Sequence, residues 1–137
     1  MDIKSVYDIE GRAMAAQLVR LNTVASNLAN AGSTTGDPKK TYKPLKPVFE
    51  TQYSDLVKKN GVATVDAVEV KEIGREPIKQ YMPNHPAADA QGYVYKAPVN
   101  VDEEMVDMLE AARQYQNNVE VISTLRALTM RTINIGK

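Results

Sequence analysis

Apolar side chains recur at helical spacing at both ends of the chain and lose that spacing in the middle. The segments Ile3–Leu28 and Val101–Ile135 contain no proline, whereas residues 31–100 carry all seven prolines. Because proline breaks the interior of a helix, the pattern predicts two long helices joined by a non-helical middle. Neither helix has a helical neighbour in sequence, so each must pack against the other or against further copies of the chain.

In the N-terminal segment the apolar residues lie three and four positions apart, the a/d spacing typical of a coiled coil, and only the step through Glu10–Gly11 is weak. This stripe consists of Ile3, Tyr7, Met14, Leu18, Leu21, Ala25 and Leu28. The polar residues of the opposite face are Lys4, Arg12, Gln17 and Arg20. One continuous stripe can be covered by one partner helix.

The C-terminal segment changes the phase of its apolar stripe near its middle. We expect Asn100 or Asp102 to cap its start, where acidic residues suit the helix dipole. The first stripe consists of Met105, Met108, Ala112, Tyr115, Val119 and Ile122. The second consists of Val121, Leu125, Leu128, Thr132 and Ile135. A helix that is apolar on several faces is buried on several sides, so we expect this to be the inner, more enclosed helix, packed against neighbouring copies.

The middle of the chain has the composition of short strands separated by turns. Strand-like runs cover residues 47–53, 61–73, 78–82 and 92–95, with turn residues at Asn60–Gly61, Gly74 and Asn84–Pro86. The predicted fold is therefore mainly α with a small β part. Residues 1–31 and 100–137 pair as an antiparallel coiled coil, and residues 32–99 form extended arms and a small antiparallel β element.

Charge and composition exclude several classes of function. The 17 basic residues balance the 17 acidic ones, cysteine is absent, and no apolar run is long enough to span a bilayer. We expect no nucleic-acid partner, no membrane insertion and no cleaved secretion signal. Four lysines at 39–46 lie in a proline-bearing loop, which favours a solvated loop over a phosphate site.

No constellation of residues indicates catalysis, a metal or a cofactor. His85 is the only histidine, and with Asp89 it supplies two ligands where a zinc site needs more. Its neighbours Asn84 and Pro86 favour a turn. The acids at 102–104 and Asp107 could suggest acid–base chemistry, but their place at a helix start explains them. We therefore predict a protein that is not an enzyme.

The asparagines within the two helices are less easily explained. Asn is a poor helix former, and a buried Asn can fix the register of packed helices. These residues are Asn22, Asn27, Asn30, Asn117 and Asn118. Register-setting hydrogen bonds between subunits and solvent-exposed polar positions remain equal alternatives.

Several segments resemble the flagellar rod and hook family of axial proteins. At the N-terminus this is Leu21–Ala31, which includes Asn27-Leu28-Ala29-Asn30. Asp89–Val94 is similar to an A-D-x-x-G-Y-V element of a proximal rod protein in that family. The resemblance continues through Val101–Val106, Arg113–Val121 and Asn134–Lys137, and is weakest at 50–80.

The resemblance implies a structural subunit of the basal-body rod, which crosses the periplasm. Such subunits are exported unfolded by the flagellar type III apparatus and assemble helically, in many copies and with other rod proteins, into a hollow drive shaft; the inner-membrane ring junction is a candidate neighbour. The alternative is a helical adaptor or secretion chaperone that binds client helices. The expected assembly interface consists of Met14, Leu18, Leu21, Asn22, Ala25, Asn27, Leu28, Asn30, Met105, Met108, Ala112, Tyr115, Asn117, Val119, Ile122, Leu125, Leu128 and Ile135.

Overall fold

The structure is a computed structural model that describes residues 3–52 and 64–135. The elements, in chain order, are α1 Ile3–Asn30, β1 Thr34–Thr35, a short 3-10 helix Pro38–Lys40, β2 Leu45–Gln52, β3 Thr64–Glu72, β4 Ile78–Tyr81, β5 Tyr93–Lys96 and α2 Val101–Ile135. The predicted fold class, two terminal helices around a small antiparallel β part, is confirmed. The turn predicted at Asn60–Gly61 lies outside the described residues.

Helix α2 begins where the sequence placed a cap. The side-chain Oδ1 of Asn100 accepts hydrogen bonds from the backbone N–H of Asp102 at 3.1 Å and of Glu103 at 3.4 Å. This satisfies two of the donors that a helix start leaves unpaired, and it decides between the two predicted caps in favour of Asn100. With 35 residues, α2 is about 52 Å long.

The two helices pack against each other in antiparallel orientation. Arg20 of α1 contacts Asp107 and Glu110 of α2, and further along α1, Val24 shares a cleft with Glu104. Residue numbers therefore rise along one helix as they fall along the other. Counting 17 residues from Arg20 back to Ile3 reaches about residue 125 of α2, because both helices rise by about 1.5 Å per residue. The last turns of α2 extend beyond the first described residue of α1.

The strands form two antiparallel sheets. A three-stranded sheet has the order β1-β5-β4, and a two-stranded sheet pairs β2 with β3, with a register irregularity between Val48 and Phe49. Both strands of the second sheet contact α1. Val94, in the central strand β5, is fully buried. Four predicted strands are thus confirmed, while β1 and the 3-10 helix were not predicted.

The segment Asp89–Val94 is a tight turn that begins β5. The carboxylate of Asp89 accepts hydrogen bonds from the backbone N–H of Gln91 at 2.9 Å and of Tyr93 at 2.8 Å. Gly92 has a φ of 81°, and a Cβ at this position would lie 3.0 Å from a ring atom of Tyr81. The turn therefore needs an acceptor side chain at its start and glycine near its end.

Candidate assembly interface

Asn27 joins α1 to the start of β2. Its side chain is 1% exposed, its Nδ2 donates to the carbonyl oxygen of Leu45 at 2.8 Å, and its Oδ1 accepts from the Leu45 backbone N–H at 2.8 Å. The hydroxyl of Tyr42 donates to the same Oδ1 at 2.9 Å and lies 3.1 Å from the hydroxyl of Ser26. The amide thus replaces a strand neighbour for one residue of β2. These bonds are made within the subunit.

The other predicted asparagines differ from Asn27. Asn30 donates to the carbonyl oxygen of Ser26 one turn earlier at 2.8 Å, and Asn22 and Asn117 are exposed. Of the four asparagines in the expected assembly interface, Asn22 and Asn117 are therefore accessible, whereas Asn27 and Asn30 are engaged within their own chain; Asn118, the fifth helix asparagine, is half-buried.

A charged cluster lies where α1, β2 and the start of α2 meet. Arg20 donates to Asp107 at 3.0 Å and to Glu110 at 3.3 Å. Lys46 of β2 lies 3.6 Å from carboxylate oxygens of both Glu103 and Asp107. The sequence placed Arg20 on a polar face opposite the packing stripe, and this was wrong. Its side chain is only 23% exposed, because it lies between the helices.

Most of the predicted interface residues of α1 and α2 are partly accessible in the single subunit. Those half-buried are Met14, Leu21, Leu28, Asn30, Met108, Ala112, Tyr115, Ile122 and Leu125. Those exposed are Leu18, Asn22, Ala25, Met105, Asn117, Val119, Leu128 and Ile135. The exposed ones contact nothing that covers them within the described chain. Their role in contacts between subunits stays a prediction.

Apart from Asn27, the residues that are most buried on the two helices were not in the predicted set. They are Ala16, Thr23 and Val24 on α1 and Glu104 and Ala111 on α2. Ala16 and Thr23 continue the stripe of Arg20 and Asn27 at a/d spacing. The sequence therefore contained the spacing that indicates the buried stripe of α1. Small and polar side chains occupy these positions, so an analysis based on large apolar residues overlooked them.

Within the subunit, α1 is the more enclosed helix. Helix α1 contacts α2, β2 and β3, whereas α2 packs against α1 and leaves much of its own surface uncovered. Leu128, Met130 and Ile133 are each more than half exposed, and Ile135 is 86% exposed. The prediction that α2 is the inner helix therefore refers only to contacts beyond the single chain.

The chain exposes far more surface than a compact protein of its mass. Its accessible surface is 9538 Å² at 15.1 kDa, against about 7,100 Å² from the scaling of monomeric globular proteins. The excess of roughly 2,400 Å² has the size of an obligate interface between subunits. The exposed apolar side chains lie on both helices and both sheets.

The remaining candidate residues have structural roles. His85 lies in a turn, where its Nδ1 accepts a hydrogen bond from the Ala87 N–H at 3.1 Å. Among the described residues, no three His, Asp or Glu side chains are grouped as metal ligands. Neither described helix combines the length and hydropathy that a membrane span requires.

Two family models match the parts of the chain that carry these features. The family described as "Flagella basal body rod protein" matches residues 8–36, which include most of α1. The one described as "Flagellar basal body rod FlgEFG protein C-terminal" matches residues 90–135, from the turn before β5 to the end of α2. These matches, together with the two long terminal helices and their uncovered apolar faces, define a flagellar axial protein.

Relatives along the whole chain narrow this class. A flagellar basal-body rod protein FlgC of Escherichia coli O6:H1 is 39% identical, and one of Salmonella typhimurium is 38% identical, with each alignment covering 100% of both chains. A FlgC of Aquifex aeolicus is 37% identical over 100% of this chain and 99% of its own. The chain belongs to the FlgC family of flagellar basal-body rod proteins. It is a structural subunit of the rod, and the alternative of an adaptor or chaperone is set aside.

Proposed function

We propose that many copies of this chain assemble helically with one another and with other rod proteins into a segment of the hollow, torque-transmitting rod. The uncovered apolar faces of α1 and α2 form the contacts, and the inner-membrane ring junction is a candidate neighbour. The chain is exported through the flagellar type III apparatus and catalyses no reaction. Contacts between unlike surface patches of successive copies generate an open helix.

The observation that carries this proposal is the uncovered apolar surface. Leu18 is 45% exposed on α1, and Val119 and Leu128 are 43% and 53% exposed on α2. Burying apolar surface contributes about 25 cal/mol per Å², so covering even part of the excess area would offset the entropy that association costs. Exposed apolar residues spread along a helix of about 52 Å suit contacts with several neighbours rather than one.

A charge on the exposed stripe tests the proposal. Leu18→Asp should leave the subunit folded, because this side chain is exposed in it. The same change should abolish swimming and reduce the amount of this chain in purified basal bodies at least roughly a hundredfold, since an unpaired carboxylate in an apolar contact costs several kcal/mol. Quantitative mass spectrometry of basal bodies from cells that lack the unaltered chain measures the incorporation.

Lys40→Asp is the matched control. This position is exposed and belongs to the 3-10 helix rather than to either long helix, so an added acid there should leave incorporation and swimming unchanged. Normal rods in the Leu18→Asp strain would show that the exposed stripe of α1 is not an interface.

A further inference from the structure

A cleft between the two helices and β2 contains a buried carboxylate with one oxygen that has no hydrogen-bond partner. Glu104 is 4% exposed, and among the described residues its Oε2 has no hydrogen-bond partner. The cleft has a volume of about 220 Å³, far more than the 10–15 Å³ or so that one water requires. Leaving a buried charged oxygen unsatisfied is costly, so Oε2 of Glu104 can accept a hydrogen bond that the described part of the subunit does not supply.

Two other acids at this end of α2, Asp107 and Glu103, have cationic neighbours. Asp107 lies 3.0 Å from Arg20 and 3.6 Å from Lys46, while Glu103 lies 3.3 Å from Arg75 and 3.6 Å from Lys46. The two cations that line the cleft, Arg20 and Lys46, therefore already face carboxylates. A further positive charge beside Glu104 would give this third carboxylate a cationic neighbour as well.

The walls of the cleft indicate the shape of the missing group. Val24, Leu45, Pro47 and Phe49 provide apolar sides, and Phe49 is 39% exposed at the surface. A lysine or arginine side chain combines an aliphatic stem that packs on such walls with a charged end that donates hydrogen bonds to a carboxylate. One free carboxylate oxygen does not supply the six or more oxygens that a calcium site takes.

We infer that this cleft is a socket for a lysine or arginine side chain of a neighbouring rod subunit, whose charged end binds Oε2 of Glu104. The inference rests on the proposed assembly and names one of its contacts. Glu104 then destabilises the free subunit, because its carboxylate is buried before the partner side chain binds, and it stabilises the assembled rod. A residue with an ordinary structural role would instead stabilise the free subunit.

Two substitutions in the full chain test the socket. Glu104→Leu should raise the melting temperature of the isolated protein, since it removes a buried unpaired charge. It should nevertheless lower incorporation into basal bodies at least tenfold, as should Glu104→Gln, which keeps the shape and loses the charge. Glu120→Gln is the control, because Glu120 lies on the same helix but outside the cleft and is exposed. It should assemble normally.

A photo-crosslinking residue in place of Phe49 identifies the occupant. In assembled rods it should join this chain to a segment of a rod protein that contains a lysine or arginine. Normal incorporation of Glu104→Gln, a lower melting temperature for Glu104→Leu, or crosslinks that include no rod protein would each overturn the socket. If the unaltered chain and the Glu120→Gln variant are also absent from basal bodies, the proposed assembly itself fails.

Discussion

Removing the Asn27 side-chain amide should break the attachment of β2 to α1. Asn27→Ala deletes three hydrogen bonds of 2.8–2.9 Å, two to the backbone of Leu45 and one to Tyr42. Each bond contributes about 1 kcal/mol net, and a donor or acceptor left unpaired in the interior costs about 1–3 kcal/mol. Because the backbone of Leu45 is only partly buried, water can replace some of the loss. We expect the free energy of unfolding to fall by about 3 kcal/mol.

Two other asparagines of the same helix provide matched controls. Asn30→Ala removes a single bond to the preceding turn and should cost less than about 1 kcal/mol. Asn22 is exposed, so Asn22→Ala should be neutral or stabilise the protein by up to about 0.7 kcal/mol, because alanine is the better helix former. Urea unfolding of the three variants, followed by circular dichroism, measures these differences. A loss below about 1 kcal/mol for Asn27→Ala, or equal losses for Asn27→Ala and Asn30→Ala, would refute the proposed role of the amide.

Further predictions concern two glycines, one ion pair and the end of α2. Gly92→Ala should lower the free energy of unfolding by about 1–2 kcal/mol, because its φ of 81° is unfavourable for an L side chain. Gly11→Ala should raise the free energy of unfolding by up to about 1 kcal/mol in the same experiment, because Gly11 lies within α1 and an added Cβ would meet no neighbouring atom. Arg20→Ala should cost about 1 kcal/mol at low ionic strength and less in 1 M salt, since its bond to Asp107 is partly exposed to solvent; an effect independent of salt would contradict this. In the isolated chain, amides at 128–135 should exchange hydrogen much faster than those at 104–122, because they lie beyond the start of α1; equal protection along α2 would contradict the overhang.

Local signals in the sequence were sufficient to predict the two long helices and the four longer strands, but not the contacts between them. Proline placement and helical spacing predicted both helices, and cap chemistry narrowed the start of α2 to Asn100 or Asp102. Strand β1 has two residues and carries no periodic signal, so it could not be predicted. Its pairing with β5 depends on contacts about 60 residues apart along the chain.

The stripe of small and polar residues through which the two helices contact each other, here called the inner seam, was overlooked for a different physical reason. Helices approach closely where their side chains are small, as at Ala16 and Ala111, and the seam also includes the charged Arg20. The large apolar residues at neighbouring positions, such as Leu18 and Val119, remain exposed. In a subunit of an assembly, the most apolar stripe need not face the chain's own partner helix, so hydrophobicity alone does not distinguish an internal contact from an external one.

The central claim is that the apolar surface left uncovered in the single chain is covered in the rod. A reconstruction of the intact rod with side chains placed measures this directly, as the exposed fraction of Leu18, Val119, Leu128 and Ile133. In the single chain these values lie between 43% and 53%. We predict that all four side chains are buried against neighbouring subunits. A rod in which they remain as exposed as in the single chain would contradict the claim.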